Sequence, residues 1–280
     1  MKTPRTLLIS GCPRSGTSWL HFMVSSHPMT VTCRETHVYD KYVGPLKQWF
    51  DKEYEYQSND GLSSLFTEDE FVSSILAPIV TTTFDRIINN SNEGCLVVEK
   101  TPSSILHHKL IHRIQSHSKL LFIIRDPRAV YASFKAGSEE VWGHWMKKSV
   151  DEFCLSWNKY ALSFLASEKY WPEEKLLCLK YEDLKMKPVE QLKHIYEWLE
   201  LNASKKQIEN IVEQNSIEKL RTVSKESIQY ESRNQFYRKG KAFGWVDELS
   251  IDEIRSIERQ CEYVMAVFGY TLFRKIKNNE

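Results

Sequence analysis

Residues 6–20 read TLLISGCPRSGTSWL. The first five residues form an apolar run as long as a buried strand, and a glycine-bearing turn follows before a helical pattern begins. A strand, a turn and a helix N-terminus together present backbone amides and the positive end of the helix dipole to an anion. The segment therefore predicts a phosphate-binding loop directly after the first strand. The alternative is a tight turn that binds nothing, since short glycine motifs also recur by chance.

The loop differs from the nucleoside-triphosphate pattern G-x-x-x-x-G-K-[ST]. Gly11, Gly16 and Ser18 align with that pattern, but Thr17 stands where a lysine would reach the β- and γ-phosphates. The cation of this loop is instead Arg14, which lies between the two glycines. The sequence thus favours an anionic group on a single 5′ position over a triphosphate.

Four further short apolar runs alternate with helical stretches. They predict strands at Thr30–Cys33, where the pattern is weaker, and at Cys95–Val98, Leu120–Ile124 and Leu176–Leu179. Helix starts are predicted by capping-box patterns and by prolines, at Thr67, Pro127, Ser149, Pro188 and Ser250. This alternation is typical of an α/β fold with a central parallel β-sheet flanked by helices, here expected as one domain over residues 1–280.

Composition excludes several kinds of partner. The 280 residues hold 38 Lys and Arg against 37 Asp and Glu, which argues against a generally basic nucleic-acid-binding protein. The longest unbroken aliphatic or aromatic run, Leu120–Ile124, is far shorter than the ~20 residues that cross a bilayer. The six cysteines form no CxxC pair or zinc-binding spacing, and the first residues lack a secretory apolar core. We therefore expect a cytoplasmic protein that has no metal site and binds neither nucleic acid nor a membrane. The sequence does not decide the oligomeric state.

A second basic cluster follows the predicted strand at 120–124. Arg125 stands at its carboxyl end, where open α/β sheets bind ligands. Asp126 is placed to cap the next helix and Pro127 to open it, which puts Ser133 on the second turn. Arg125 and Ser133 are suited to share a second phosphate. The alternative is that Arg125 and Asp126 only form an ion pair at the strand end.

A third cluster lies in a long polar segment, 216–244, whose length is typical of a functional loop. Between Arg233 and Lys241 it contains four cations and no acid. Such a segment is suited to close over an anionic ligand, although basic loops are also common on protein surfaces.

Together these motifs resemble the sulfotransferases that use 3′-phosphoadenosine 5′-phosphosulfate (PAPS). Residues 13–20 (PRSGTSWL) are similar to the family's 5′-phosphosulfate loop, 125–134 (RDPRAVYASF) to its 3′-phosphate motif and 238–240 (RKG) to its closing loop. Residues 98–102 (VEKTP) and 180–184 (KYEDL) resemble two further segments, so the resemblance covers roughly Thr6 to Tyr270. All five motifs occur in the family's order.

The resemblance implies a donor site. PAPS would be the donor and adenosine 3′,5′-bisphosphate (PAP) the product, with no metal required. The residues that would hold the 5′-phosphosulfate are Arg14 and the amides of Ser15, Gly16, Thr17 and Ser18. Those that would hold the 3′-phosphate are Arg125, Ser133, Arg238, Lys239 and Gly240. Trp19 would stack on adenine, unless it is a core aromatic.

In-line sulfuryl transfer leaves negative charge on the departing 5′-phosphate, so fixed cations are needed there. Arg14 and Lys100 are the candidates for this task. The acceptor must also lose a proton to a general base. The cytosolic branch places a histidine directly after the Lys-Thr segment, but none follows Lys100-Thr101 here.

The base is instead predicted from residues 33–37 (CRETH), which resemble the tyrosylprotein and polysaccharide branches, where a glutamate after the second strand is the base. Glu35 is the favoured candidate, followed by His37 and then by His107 and His108. The alternative is that Glu35 only pairs with Arg34 or Arg14.

The sequence thus predicts a sulfotransferase that acts on a hydroxyl or amine of a small metabolite. Three alternatives remain: a saccharide O-sulfotransferase of the same family, a P-loop kinase of small molecules, and a nucleotide-binding module without activity. The identity of the acceptor and the choice between O- and N-sulfation are not decided by the sequence.

Overall fold

The structure, a computed structural model, describes residues 5–56, 60–88, 95–216, 218–220 and 244–273. Its centre is a five-stranded sheet of order β2-β3-β1-β4-β5. The strands are β1 (Thr6–Ser10), β2 (Thr30–Thr32), β3 (Leu96–Lys100), β4 (Lys119–Ile124) and β5 (Leu176–Lys180). Every strand prediction is confirmed to within two residues at each end.

Strand β1 pairs in parallel with both β3 and β4. Ile9 of β1 lies opposite Lys100 of β3, and Ser10 lies opposite Phe122 of β4. β1 is buried along its whole length, which explains its unbroken apolar sequence.

Helices connect the strands, as the α/β prediction requires. They are α1 (Thr17–Ser25), α2 (Gly44–Glu55), α3 (Glu68–Phe71), α4 (Ala77–Ile88), α5 (His108–Gln115), α6 (Pro127–Ser138), α7 (Val150–Ser167), α8 (Tyr181–Met186), α9 (Pro188–Trp198), α10 (Lys205–Gln214) and α11 (Ile251–Val267). The predicted capping boxes form at Thr67, Ser149 and Ser250. A π-helical turn, Val38–Val43, precedes α2, and a 3₁₀ helix, Pro102–His107, precedes α5.

One continuous helix, 68–88, passes a length and hydropathy test for a bilayer span, with 21 residues and a mean hydropathy of 1.4. Its buried residues Val72, Leu76, Val80 and Phe84 recur every four positions, as on one face of an amphipathic helix. Phe71 of the same helix stacks on Phe50 of α2, with ring centroids 4.1 Å apart. The test alone is weak support for a membrane span, since core helices also pass it.

The chain divides into two compact units. The first contains Met1–Ser10, Ser25–Phe122 and Ser163–Leu177. It includes β1 to β3, most of β4 and helices α2 to α5. The hydroxyl of Tyr39, a fully buried side chain, donates to Gln115 Oε1 at 2.7 Å and so ties the π-helical turn to α5.

The second unit contains Gly11–Val24, Ile123–Leu162 and Cys178–Glu280. Its core includes Arg128 of α6, which is 1% exposed and donates to both Asp126 and Glu258. The Arg128 guanidinium also lies 4.2 Å from the ring centroid of Trp245. Lys135 lies about two turns further along the same face of α6 and pairs with Glu253 of α11 at 2.8 Å. Positive charge on α6 is therefore largely matched by acids on α11.

These two ion pairs join the same helices and differ in burial, which gives a matched stability test. Arg128→Met leaves Asp126 and Glu258 buried without their cation and should lower the free energy of unfolding by about 3–5 kcal/mol. Lys135→Met breaks an exposed pair and should cost less than about 1 kcal/mol. Urea unfolding measures both values, and equal losses would contradict the structural role of Arg128.

Candidate active site

The loop after β1 is shaped by close approaches that only glycine permits. A Cβ on Gly11 would lie 2.4 Å from the carbonyl oxygen of Ile123. Gly16 has φ +96°, and a Cβ there would lie 2.5 Å from the ring of Tyr181. Arg14 itself has φ 71°, a left-handed conformation that is uncommon outside glycine and often marks functional sites.

Ser15 is fully buried, and its two polar groups differ in their partners. Its amide donates to the carbonyl oxygen of Cys12 at 3.0 Å, so this amide is already engaged. Its hydroxyl has no hydrogen-bond partner among the residues that the structure describes. The Ser15 hydroxyl is therefore the better candidate to bind an anion, and donor binding by the Ser15 amide stays a prediction. Gly16, Thr17 and Ser18 complete the loop at the first turn of α1.

The structure links Arg14 to both Arg125 and Ser133, whereas the sequence grouped Ser133 with Arg125 and assigned Arg14 to the other phosphate. Arg14 Nε donates to Ser133 Oγ at 3.1 Å, and Arg125 Nη1 donates to the carbonyl oxygen of Arg14 at 3.1 Å. Arg125 Nε is buried and has no partner within the described ranges. We call these three residues and Ser15 the donor cluster. Two of its buried donors, Ser15 Oγ and Arg125 Nε, are thus available to the oxygens of an anionic ligand.

Tyr181 supports Arg125, a role that sequence reasoning missed. The guanidinium carbon of Arg125 lies 4.3 Å from the centroid of the Tyr181 ring, and the carbonyl of Arg125 accepts from Trp157 Nε1 at 3.2 Å. Glu182 Oε1 accepts from the amide of Asp126 at 3.1 Å and fixes the next residue. The signal was the KYEDL segment, which the sequence analysis quoted without assigning a role to its aromatic residue or its glutamate.

Trp19 occupies a different position from the one expected of an adenine platform. It is 6% exposed, and its indole N–H donates to the carbonyl of Asn215 at 2.8 Å. Its ring meets Tyr181 edge-on, with centroids 5.9 Å apart. The structure thus places Trp19 in the core, as the alternative interpretation of the sequence has it, and stacking on adenine stays a prediction.

Cys12 lies inside the loop and is 4% exposed. Burial raises the pKa of its thiol to about 12, although the charge of Lys148 opposes the shift. The predicted closing residues Arg238, Lys239 and Gly240 fall outside the described residues.

A second cluster forms at the carboxyl end of β3, within the first unit. Lys100 Nζ donates to Glu35 Oε1 and His37 Nε2 lies 3.2 Å from Glu35 Oε2. His37 Nδ1 lies 3.0 Å from Asp40 Oδ2, which also accepts from the hydroxyl of Ser103. We call Glu35, His37, Asp40, Lys100 and Ser103 the base cluster. The sequence did not predict that Asp40 and Ser103 join this cluster; Asp40 follows His37 by three residues, but no sequence signal pointed to Ser103.

The other candidate bases lie elsewhere. The ring nitrogen Nδ1 of His108 faces the carbonyl of Ile105 at 3.2 Å, and burial lowers the pKa of His108. The ring of His107 packs against Gly44, where a Cβ would lie 2.5 Å from it. Lys100, expected beside the departing phosphate, pairs here with Glu35.

The Sulfotransferase domain family matches residues 4–269, and the chain belongs to this family. It is 22% identical over 203 residues to protein-tyrosine sulfotransferase A of Caenorhabditis elegans, an alignment that covers 71% of this chain and 51% of that protein. The chain thus spans about half the length of that relative. It is 24% identical over 272 residues to a putative protein-tyrosine sulfotransferase of Caenorhabditis briggsae, covering 94% and 88%.

Among solved structures, mouse sulfotransferase SULT7A1 complexed with PAP has a similar fold, with a TM-score of 0.59 and 15% identity over 94% of this chain and 85% of that one. The sequence prediction of a PAPS-dependent sulfotransferase fold and family is confirmed. Within the described residues, no group of three or more His, Cys, Asp or Glu side chains is arranged to hold a metal ion.

The stacking of Arg125 on Tyr181 leads to a test of donor binding. Tyr181→Leu removes the ring and should weaken PAP binding about 3- to 30-fold, whereas Tyr181→Phe keeps the ring and should bind PAP like the parent protein. Isothermal titration calorimetry with PAP measures the dissociation constants. Equal weakening in both variants would contradict the stacking role.

Proposed function

We propose that this protein transfers the sulfuryl group of PAPS in line to a hydroxyl or amine of a small-molecule acceptor. The observation that carries the proposal is the donor cluster, in which Arg125 binds the carbonyl of Arg14 and two buried donors, Ser15 Oγ and Arg125 Nε, lack a described partner. Phosphate oxygens satisfy such donors, so the residues fit an anionic nucleotide.

The donor cluster has two tasks in this proposal. Arg125 and Ser133 bind the 3′-phosphate, and Arg14 binds the 5′-phosphosulfate. Because Arg14 is already oriented by its bond to Ser133, its charge is fixed before the reaction begins. A fixed cation stabilises the negative charge that develops on the departing phosphate without reorganisation at that moment.

The base cluster supplies the proton acceptor in the same proposal. Glu35 Oε2 takes the proton of the acceptor hydroxyl or amine while the acceptor oxygen or nitrogen attacks sulfur. Asp40 holds His37 through Nδ1, so that Nε2 faces Glu35 and can receive the proton next. Lys100, which donates to the other oxygen of Glu35, keeps that carboxylate oriented. His37 itself stays the second candidate for the base.

The alternatives make different predictions. A small-molecule kinase would bind magnesium ATP more tightly than PAP, but Thr17 replaces the lysine that such an enzyme needs. A binding module would take up PAP and show no turnover with any acceptor. A panel of phenols, alcohols, amines, oligosaccharides and tyrosine peptides separates the acceptor classes. We further propose a cytoplasmic location, which six cysteines that form no disulfide support.

Donor binding is tested by Arg14→Ala and Arg125→Ala. Each variant loses a charged hydrogen-bond donor and should weaken PAP binding at least about 10-fold. The exposed Lys193→Ala variant is the matched control and should bind PAP normally. Calorimetry with PAP measures the affinities, and unchanged affinity in both arginine variants would remove the donor-site assignment.

The base assignment is tested by Glu35→Gln, which keeps the shape of the side chain and cannot accept the proton. Turnover measured as PAP release should fall about 10²- to 10⁴-fold, with PAP affinity unchanged. Normal turnover in this variant together with lost turnover in His37→Gln would transfer the role to His37.

A further inference from the structure

Glu99 is a buried carboxylate that the proposed chemistry does not use. It is 1% exposed and directly precedes Lys100 at the end of β3. Its Oε1 accepts from the amide of Thr36 at 3.2 Å, from the hydroxyl of Thr36 at 2.9 Å and from the hydroxyl of Thr101 at 2.6 Å. A carboxylate is costly to bury, and these three bonds offset the lost hydration of Oε1, whereas the buried Oε2 has no partner among the described residues.

The same hydrogen bonds extend to the turn that follows Glu35. The amide of His37 donates to Thr101 Oγ1 at 3.3 Å, and the amide of Val38 donates to Thr36 Oγ1 at 3.3 Å. The three consecutive amides 36–38 therefore end on Glu99 Oε1, either directly or through one hydroxyl. Thr101 is 1% exposed, so water competes little for its hydroxyl.

This arrangement explains an unfavourable backbone conformation. His37 has φ 53° and ψ 20°, in the left-handed region that residues other than glycine seldom adopt. Such a conformation persists when its surroundings determine it, and here the bonds on both sides of His37 do so. The conformation turns the imidazole between Glu35 and Asp40.

We propose that Glu99, with Thr36 and Thr101, forms a clamp that positions the base, and that Glu99 is a positioning residue for sulfuryl transfer. This inference rests on the proposed role of Glu35. The clamp holds the turn 35–37 so that Glu35 and His37 face each other before an acceptor arrives. A base held in place avoids the entropy loss of ordering it in each turnover.

The protonation state of Glu99 does not decide the geometry. Burial raises the pKa of Glu99, while its bonds to Thr101 and Thr36 and the charge of Lys100 lower it. Since Oε1 serves only as an acceptor, a neutral amide oxygen can replace it. Glu99→Gln is therefore the conservative variant, and Glu99→Met, which has no acceptor, is the disruptive one.

The first test uses the hydroxyl of Thr36, which lies outside the deep core. Thr36→Val removes the hydroxyl at nearly constant shape and should lower kcat about 10- to 100-fold, the range for a displaced catalytic group. Thr36→Ser restores the hydroxyl and should restore kcat. The KM for PAPS and the affinity for PAP should stay unchanged, because the donor cluster is intact. Equal kcat in the valine and serine variants would overturn the clamp.

The second test is at Glu99 itself. Glu99→Gln should keep most of the parent kcat, and Glu99→Met should lose as much as Thr36→Val. Combining Thr36→Val with Glu99→Met should cost little more than either change alone, because both disrupt one unit. Fully additive losses would show that the two residues act separately and would overturn the proposal.

Hydrogen exchange of the amides 36–38 separates this inference from the base assignment. Exchange should accelerate in Thr36→Val and not in Glu35→Gln, whether Glu35 or His37 is the base. If Glu35 is not the base, Glu35→Gln keeps its turnover while exchange in Thr36→Val still accelerates, and the clamp then stands as the support of His37. Unchanged exchange in Thr36→Val would overturn the clamp even if kcat fell.

Discussion

The hydrogen bond from the Arg125 guanidinium to the carbonyl of Arg14 is the interaction on which the donor site depends. It joins the end of β4 to the loop after β1, two segments more than a hundred residues apart in the chain. Arg125 thus uses Nη1 to hold the loop, while its Nε has no partner among the described residues and is left for a ligand. Recognition and loop structure are thus combined in one side chain, which Tyr181 supports from below through ring stacking.

The base cluster is organised by a different principle. Its polar groups form a chain, with Lys100 and His37 on either side of Glu35 and with Asp40 behind His37. Contacts at hydrogen-bond distance keep each side chain in one orientation, although partly exposed ion pairs contribute little stability on their own. The orientation of Glu35 and His37 is fixed mainly by the Glu99 carboxylate and the Thr101 hydroxyl beneath the turn, since these two groups are shielded from water.

Much of this architecture could be predicted because it depends on local sequence. Apolar runs predicted the strands, and the hydroxyl and carboxylate of Ser250 and Glu253 predicted a helix start. Arg125 and Ser133 could be grouped from the sequence because a strand end and the second turn of the following helix are close in an α/β unit, but the bond of Ser133 to Arg14 depends on the fold of the loop after β1.

The remaining features depend on tertiary packing. The burial of Trp19 depends on Asn215 and Tyr181, which are distant in sequence. The pattern of apolar residues in α1 does not show which residues cover the indole ring. The engagement of the Ser15 amide depends on the turn geometry at Cys12. The pairing of Arg128 and Lys135 with acids of α11 also depends on tertiary packing, since the partners of each pair lie more than a hundred residues apart in the chain.

The position of Cys12 has a consequence for the reactivity of the phosphate loop. Helix N-termini and nearby cations usually lower the pKa of a cysteine and make it a nucleophile. In this loop burial has the larger effect and raises the pKa of Cys12, so the thiol stays protonated at neutral pH. Although it lies in the loop after β1, the Cys12 thiol is therefore expected to react slowly with peroxides and alkylating agents.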